Sequence, residues 1–189
     1  MVYESLIAIV ESSLKDLVKS WVKEILRSDY MKTYHALTEV QILQRGETLF
    51  GNLKKWLDRG AYGEEVEEYF VKVGEDRFME GFPLSEIHYA LYLEKKVLWS
   101  YVNWKEDVTG KFTTPEAIEF MTVLNNYFDL GNFFIIKGYM QALYDRLVES
   151  DKFSDEELKN YIGKGALYEE TVKKIREKMY APKLNLKKE

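Results

Sequence analysis

Cysteine is absent from the 189 residues, and histidine occurs only twice, at His35 and His88. The first absence removes disulfides, thiol nucleophiles, iron–sulfur clusters and cysteine-ligated zinc. The second leaves no HExxH. Lys32 and Ser85 stand three residues before the two histidines, so the Glu-x-x-His of a di-iron bundle is also missing. A haem needs one axial histidine, so counting leaves His35 or His88 open to that role. Nothing else in the chain asks for haem, and no cofactor is expected. There is no glycine-rich phosphate loop, no GxSxG and no GxGxxG.

Long apolar runs are missing too. The opening stretch "MVYESLIAIVESSLKDL" is broken by Glu4, Glu11, Lys15 and Asp16. It reads as neither a signal peptide nor a membrane span, and a cytoplasmic chain with no membrane partner is expected. The net charge is −5, and the basic clusters "KKW", "EKK" and "KLNLKKE" are short and set among acids. That excludes a nucleic-acid partner on bulk and local grounds. Proline occurs three times, at 83, 115 and 182, each where a helical pattern begins or ends.

What is present is apolar residues, at 46%, patterned with a helical period, and an aromatic content of 15%. Ile7, Val10, Leu14, Leu17 and Trp21 place a first helix over about Glu4 to Arg27. A second is expected from about Tyr34 to Asp58, with one stripe of Val40, Leu43, Phe50 and Leu57 beside another of Ile42, Leu49, Leu53 and Trp56. A third runs from about Glu64 to Met79, its acidic start suited to the positive end of a helix dipole. A fourth starts at Ser85. A fifth starts near Thr114 and continues to about Glu149, with Gly131 and Gly138 on one face, where another backbone could come close or the helix bend. A sixth starts at Ser154, with Glu157 completing a capping box, and a last spans about Leu167 to Tyr180.

No stretch alternates with period two for long enough to build a sheet. The expected fold is all-α: a single helical bundle of about five main helices with a small C-terminal helical extension. Residues 1–149 form the bundle, and residues 150–189 are an extension and frayed tail packed on or beside it.

Two places invite a functional reading. In "GFPLSEIHYALYLEKKVLW", residues 81–99, Gly81 can close the third helix, Pro83 biases Phe82 away from helix, and Ser85 can cap the fourth helix. So many local roles favour a partly buried His88 hydrogen-bonded to a neighbour over a ligand or a base. The second place is a pair of charges on apolar stripes, Glu47 between Leu43 and Phe50, and Arg77 four residues after Val73. Charges there are costly unless paired, so Glu47 and Arg77 are expected to meet across the helix interface, to line a small polar pocket, or to turn toward solvent. The aromatic residues Trp99, Tyr101, Trp104, Tyr127, Phe128, Phe133, Phe134 and Tyr139 supply either an ordinary core or the wall of an apolar cavity. Candidate ligand-binding residues are therefore Glu47, Arg77, His88, Phe128 and Tyr139. No catalytic and no metal-binding residues are assigned.

The succession "YHALTEVQILQRGETLFGNLKKWL", "VGEDRFMEGFPLSEIHYALYLEKKVLW" and "FDLGNFFIIKGYMQALY" resembles the RsbRD N-terminal domain family over about residues 4–148. The likeness rests on Arg45 in the second helix, on "R…GFPLSE" from Arg77 to Glu86, and on the aromatic fifth helix with Gly138-Tyr139. The resemblance implies a helical sensory or regulatory input domain of bacterial signalling and stress-response complexes, often joined to STAS or histidine-kinase output modules. Here residues 149–189 follow the stretch that carries the likeness. It implies no active site to carry over. The expectation is a non-enzymatic signalling domain with a protein partner or a small apolar ligand. A homodimer is expected, for which a face bearing Gly131 and Gly138 would be suited. A haem-binding, globin-like sensor or carrier is the alternative.

Overall fold

The structure is a computed structural model that describes residues 2–59, 64–103, 113–150 and 152–161. Within these every element is a helix: α1 (Val2–Arg27), α2 (Lys32–His35), α3 (Glu39–Asp58), α4 (Glu64–Met79), α5 (Leu84–Asn103), α6 (Thr114–Val148) and α7 (Asp155–Tyr161). None is long and apolar enough to cross a membrane. The expected helix over Leu167 to Tyr180 and the aromatic Trp104 lie outside the described residues. The chain divides into two compact units, Met1–Ala142 and Leu143–Glu189. The first is an all-α bundle of α1 to α5 and of α6 as far as Ala142. In the second, Ser154 and Glu157 form the expected capping box, with Ser154 N donating to Glu157 Oε2 at 2.9 Å and Glu157 N donating to Ser154 Oγ at 3.3 Å.

The bundle core is aromatic and aliphatic in about the measure that the composition suggests. α1 packs on α3 and α5, burying Leu17, Val18, Trp21, Val22 and Ile25. The Trp21 indole is fully buried, and its Nε1 donates to the Ala90 carbonyl at 2.9 Å, which meets the need of a buried N–H for an acceptor. On α3 the buried face runs through Ile42, Gly46, Leu49, Leu53 and Trp56. Trp56, Phe70 and Phe128 each meet the Tyr127 ring in a tilted or edge-to-face contact, with centroids 5.2–5.3 Å apart, and so join α3, α4 and α6.

Two boundaries differ from expectation, and a third, the start of α6, agrees. α3 does not begin at Tyr34. A separate turn, α2, comes first, and Thr38 then starts α3 with a capping box in which its hydroxyl accepts from Gln41 N and the Gln41 side chain accepts from Thr38 N. α5 starts at Leu84, so Ser85 lies inside the helix and is not its cap; the amides of Glu86 and Ile87 bond the Pro83 carbonyl. α6 has Thr113 just before its start, and Glu116 reaches back to accept from the Thr113 amide and hydroxyl.

The α4–α5 turn is a Schellman motif. Gly81 has φ +79°, its N–H bonds the Phe78 carbonyl, and the Phe82 N–H bonds the Arg77 carbonyl. The turn is held from two sides. Tyr139 on α6 donates its hydroxyl to the Phe82 carbonyl at 3.0 Å. Just past the turn, buried Glu86 accepts from the Thr33 amide at 3.0 Å and from its hydroxyl at 3.0 Å, so the carboxylate of one helix caps the start of another, where Met31 offers no cap. Glu86→Ala leaves those donors without an acceptor and is expected to cost about 2 kcal/mol. Urea denaturation measures the loss, and faster hydrogen exchange at Thr33 locates it. An unchanged Thr33 exchange rate would contradict the capping role.

α4 and α6 touch backbone to backbone. A methyl group added at Gly138 would lie 2.0 Å from the Val71 carbonyl oxygen, and one at Gly74 would lie 2.2 Å from the Ile135 carbonyl oxygen. At Gly131 the neighbour is a side chain, the Phe70 ring, 2.8 Å from where a methyl group would lie. The close approach expected at Gly131 and Gly138 is therefore made within the chain. Both are buried under α4, which corrects the expectation that they serve a dimer face.

Candidate functional site

Arg45, on the second turn of α3, and Arg77, on the last turn of α4, reach the same carboxylate oxygen. Arg45 Nη2 lies 2.9 Å from Glu80 Oε2, and Arg77 Nη1 lies 2.8 Å from it. Both guanidiniums are largely enclosed, with side chains 17% and 15% exposed, while Glu80 is 41% exposed. They share an aromatic floor as well. The buried Phe82 ring lies 5.0 Å from Arg45 Cζ and 5.6 Å from Arg77 Cζ, and Tyr34 lies 5.9 Å from Arg45 Cζ. Phe82 reaches this position because the Schellman turn folds it back over the last turn of α4.

The floor is polar beneath. Tyr34 is buried, and burial raises its phenol pKa, opposed by the positive charges of Arg77 and Arg45. The Tyr69 phenol is likewise pushed well above its ordinary range by burial and by the carboxyl of Glu94. Arg45 Nη1 is enclosed and has no hydrogen-bond acceptor among the described residues. Such an unmatched charged donor is rare in a finished interior.

A groove of about 400 Å³ opens between α3 and α4 beside this pair. From α3 it is lined by Gln44, Arg45 and Thr48, and from α4 by Tyr69, Lys72 and Arg77 among others. The size suits a small molecule. Lys72 is ion-paired to Asp76, its neighbour one turn on.

The expected site residues fall in different places. Arg77 is in the groove. Glu47 is not: it lies exposed on α3, because the buried face runs through Ile42, Gly46 and Leu49, turning position 47 outward. The acid that meets Arg77 is Glu80, and Arg45 joins it. His88 is half-buried, and its Nδ1 lies 2.7 Å from Asn132 Oδ1 on α6; it does not line the groove. His35 is exposed, with Nε2 3.1 Å from the Ile25 carbonyl. Phe128 is buried in the core between Tyr127 and the Lys95 ammonium, 5.8 Å from its ring. Tyr127 and Phe134 are core as well. Tyr139 serves the Phe82 turn. Among the described residues no three histidine or carboxylate groups converge as a metal site would require.

Sequence reasoning missed Glu80, Tyr34 and Tyr69. Glu80 was within reach of it: it stands three residues after Arg77, the spacing of a helical ion pair. Tyr34 and Tyr69 join the site through long-range packing and carry no local signal.

The residues on which the family likeness rests are thus gathered in one structure: Arg45, Arg77, Phe82, Glu86 and Tyr139 all build or brace the α4–α5 turn. The family model of the RsbT co-antagonist protein rsbRD N-terminal domain matches residues 15–151, well over half of the chain. Comparison with curated proteins and comparison with solved structures gave no match. The chain belongs to the RsbRD N-terminal domain family, a family of stress-response signalling regulatory domains.

Proposed function

We propose that this chain is a non-enzymatic regulatory domain whose α3–α4 groove takes up a small molecule and reports its presence to a protein partner of a signalling pathway. The observation that carries the reading is the paired, nearly enclosed guanidiniums at the edge of a groove of about 400 Å³, one of them with an unused donor. Supporting it, the site's charged groups are bases and salt-bridged acids with no nucleophile and histidine pair among them, so binding is favoured over bond-making.

The test is native mass spectrometry of the purified chain, followed by thermal shift against a metabolite library. Thr48 is an exposed groove residue, and Thr48→Trp fills the groove without entering the core. A retained or added ligand whose binding Thr48→Trp abolishes bears out the proposal. Ligands that bind the variant as well as the native chain would place uptake elsewhere and sink it.

A further inference from the structure

We infer that the groove binds a small organic monocarboxylate, which takes the place of Glu80 on the Arg45–Arg77 pair. The inference rests on the groove being the ligand site, and adds the chemistry of the ligand and the residue it competes with.

Charge is the first argument. Arg45 and Arg77 are more than four-fifths enclosed, where the solvent screens their charge poorly, and the acid they share, Glu80, is the exposed member of the trio. Glu86, the other carboxylate whose charge reaches Tyr34, is already committed to the Thr33 amide and hydroxyl. The enclosed pair therefore calls for a negative charge at the place Glu80 occupies, which a singly charged anion can supply and a cation cannot.

Geometry is the second. Both guanidiniums bond the same oxygen of Glu80, so each meets the acid through a single N–H while a guanidinium can offer two in parallel. Arg45 Nη1 has no acceptor among the described residues. The internal acid thus leaves donor capacity unused, and a planar carboxylate free to choose its angle can use it. Glu80 is also the most exposed of the three groups, at the mouth of the turn, and can swing into water at little cost.

The body of the ligand follows from the rest of the wall. The Tyr69 ring and Val73 offer apolar surface beside the arginines, and the amide of Gln44 and hydroxyl of Thr48 offer a polar rim. That combination fits a short aliphatic or aromatic acid better than inorganic phosphate, which has no apolar part and a second charge near neutral pH.

The full chain is titrated calorimetrically with benzoate, with benzamide as the neutral isostere, and with inorganic phosphate at matched ionic strength. Benzoate is expected to bind saturably and benzamide not to bind. Arg45→Gln and Arg77→Gln each weaken benzoate binding by about tenfold or more, the scale of one lost charge-assisted contact. Glu80→Gln, an exposed change that the fold tolerates, tightens it by about tenfold because the internal competitor is neutral. A purely structural ion pair predicts no such gain. Absence of benzoate binding in both the native chain and Glu80→Gln overturns the inference, as does equal binding of benzamide or tighter binding of phosphate. Benzamide binding that Thr48→Trp removes would leave the groove a ligand site and overturn only the carboxylate assignment. Benzoate binding that survives Thr48→Trp would remove both.

Discussion

Gly138→Ala is expected to cost about 2–3 kcal/mol of folding stability, although alanine is the better helix former by about 1 kcal/mol. The added methyl group would sit 2.0 Å from the Val71 carbonyl oxygen, with the Val71 carbonyl carbon and Cα also within 3.0 Å. The obstacle is backbone, so no rotamer change relieves it, and α4 must move away from α6. Gly51→Ala is the control. Gly51 lies inside α3 with nothing within 4 Å of the position a methyl group would take. There the same substitution is expected to add about 0.5–1 kcal/mol by lowering the entropy of the unfolded chain and favouring helix. Urea denaturation of the two variants side by side checks both signs. A Gly138→Ala protein as stable as the native one would mean that α4 and α6 do not approach as described.

The second large effect concerns an acid that no functional argument claims. Glu94, on α5, is completely buried, and neither carboxylate oxygen has a hydrogen-bond partner among the described residues. Burial raises its pKa well above the ordinary carboxyl range, and its charge in turn raises the Tyr127 and Tyr69 phenols. The direction of the resulting pH dependence is fixed by linkage. The folded chain holds the Glu94 proton more tightly than the unfolded chain does. Its favourable contribution is fully present below the unfolded-state value, about 4.3, and is lost as the pH rises through the folded-state value. Native stability therefore falls with rising pH over that window. Glu94→Gln removes this dependence. Glu94→Met, of similar shape and without polar oxygens, is expected to raise stability at neutral pH by about 2 kcal/mol, the scale of one buried unsatisfied polar group. Denaturation midpoints at a series of pH values from 4 upward measure both. A native profile parallel to that of Glu94→Gln would show that Glu94 does not titrate in this way.

The helical period was enough to read α1, α4 and the whole of α6, because each has a continuous apolar stripe and a plain start or stop. Gly81 announced the Schellman turn, and Ser154-x-x-Glu157 announced α7. Two starts were misread where local signals overlap. Tyr34–Leu37 continues the helical pattern of α3, so the break before Thr38 shows only in the capping box that Gln41 completes. Ser85 is a good cap by type, but Pro83 already supplies the carbonyl that the first amides of α5 need. The site was half legible. Arg77 stood out as a charge on an apolar stripe, and Arg45 as part of the family pattern. Glu47 is open in the sequence to both readings, pairing with Arg77 or facing solvent, because two neighbouring stripes on α3 fit the period about equally; it faces solvent. Gly74 carries no sequence cue, since its need for glycine comes from Ile135 and Tyr139, about sixty residues away. Glu94 likewise reads as an ordinary charge until its neighbours are known.

The contact between the bare backbones of α4 and α6 sets how close the two helices can come. Gly138 meets the backbone of Val71, and Gly74 meets that of Ile135 and Tyr139, with no side chain between them to yield. Arg77 stands about one helical turn beyond Gly74, so its position is inherited from a spacing that main-chain atoms define.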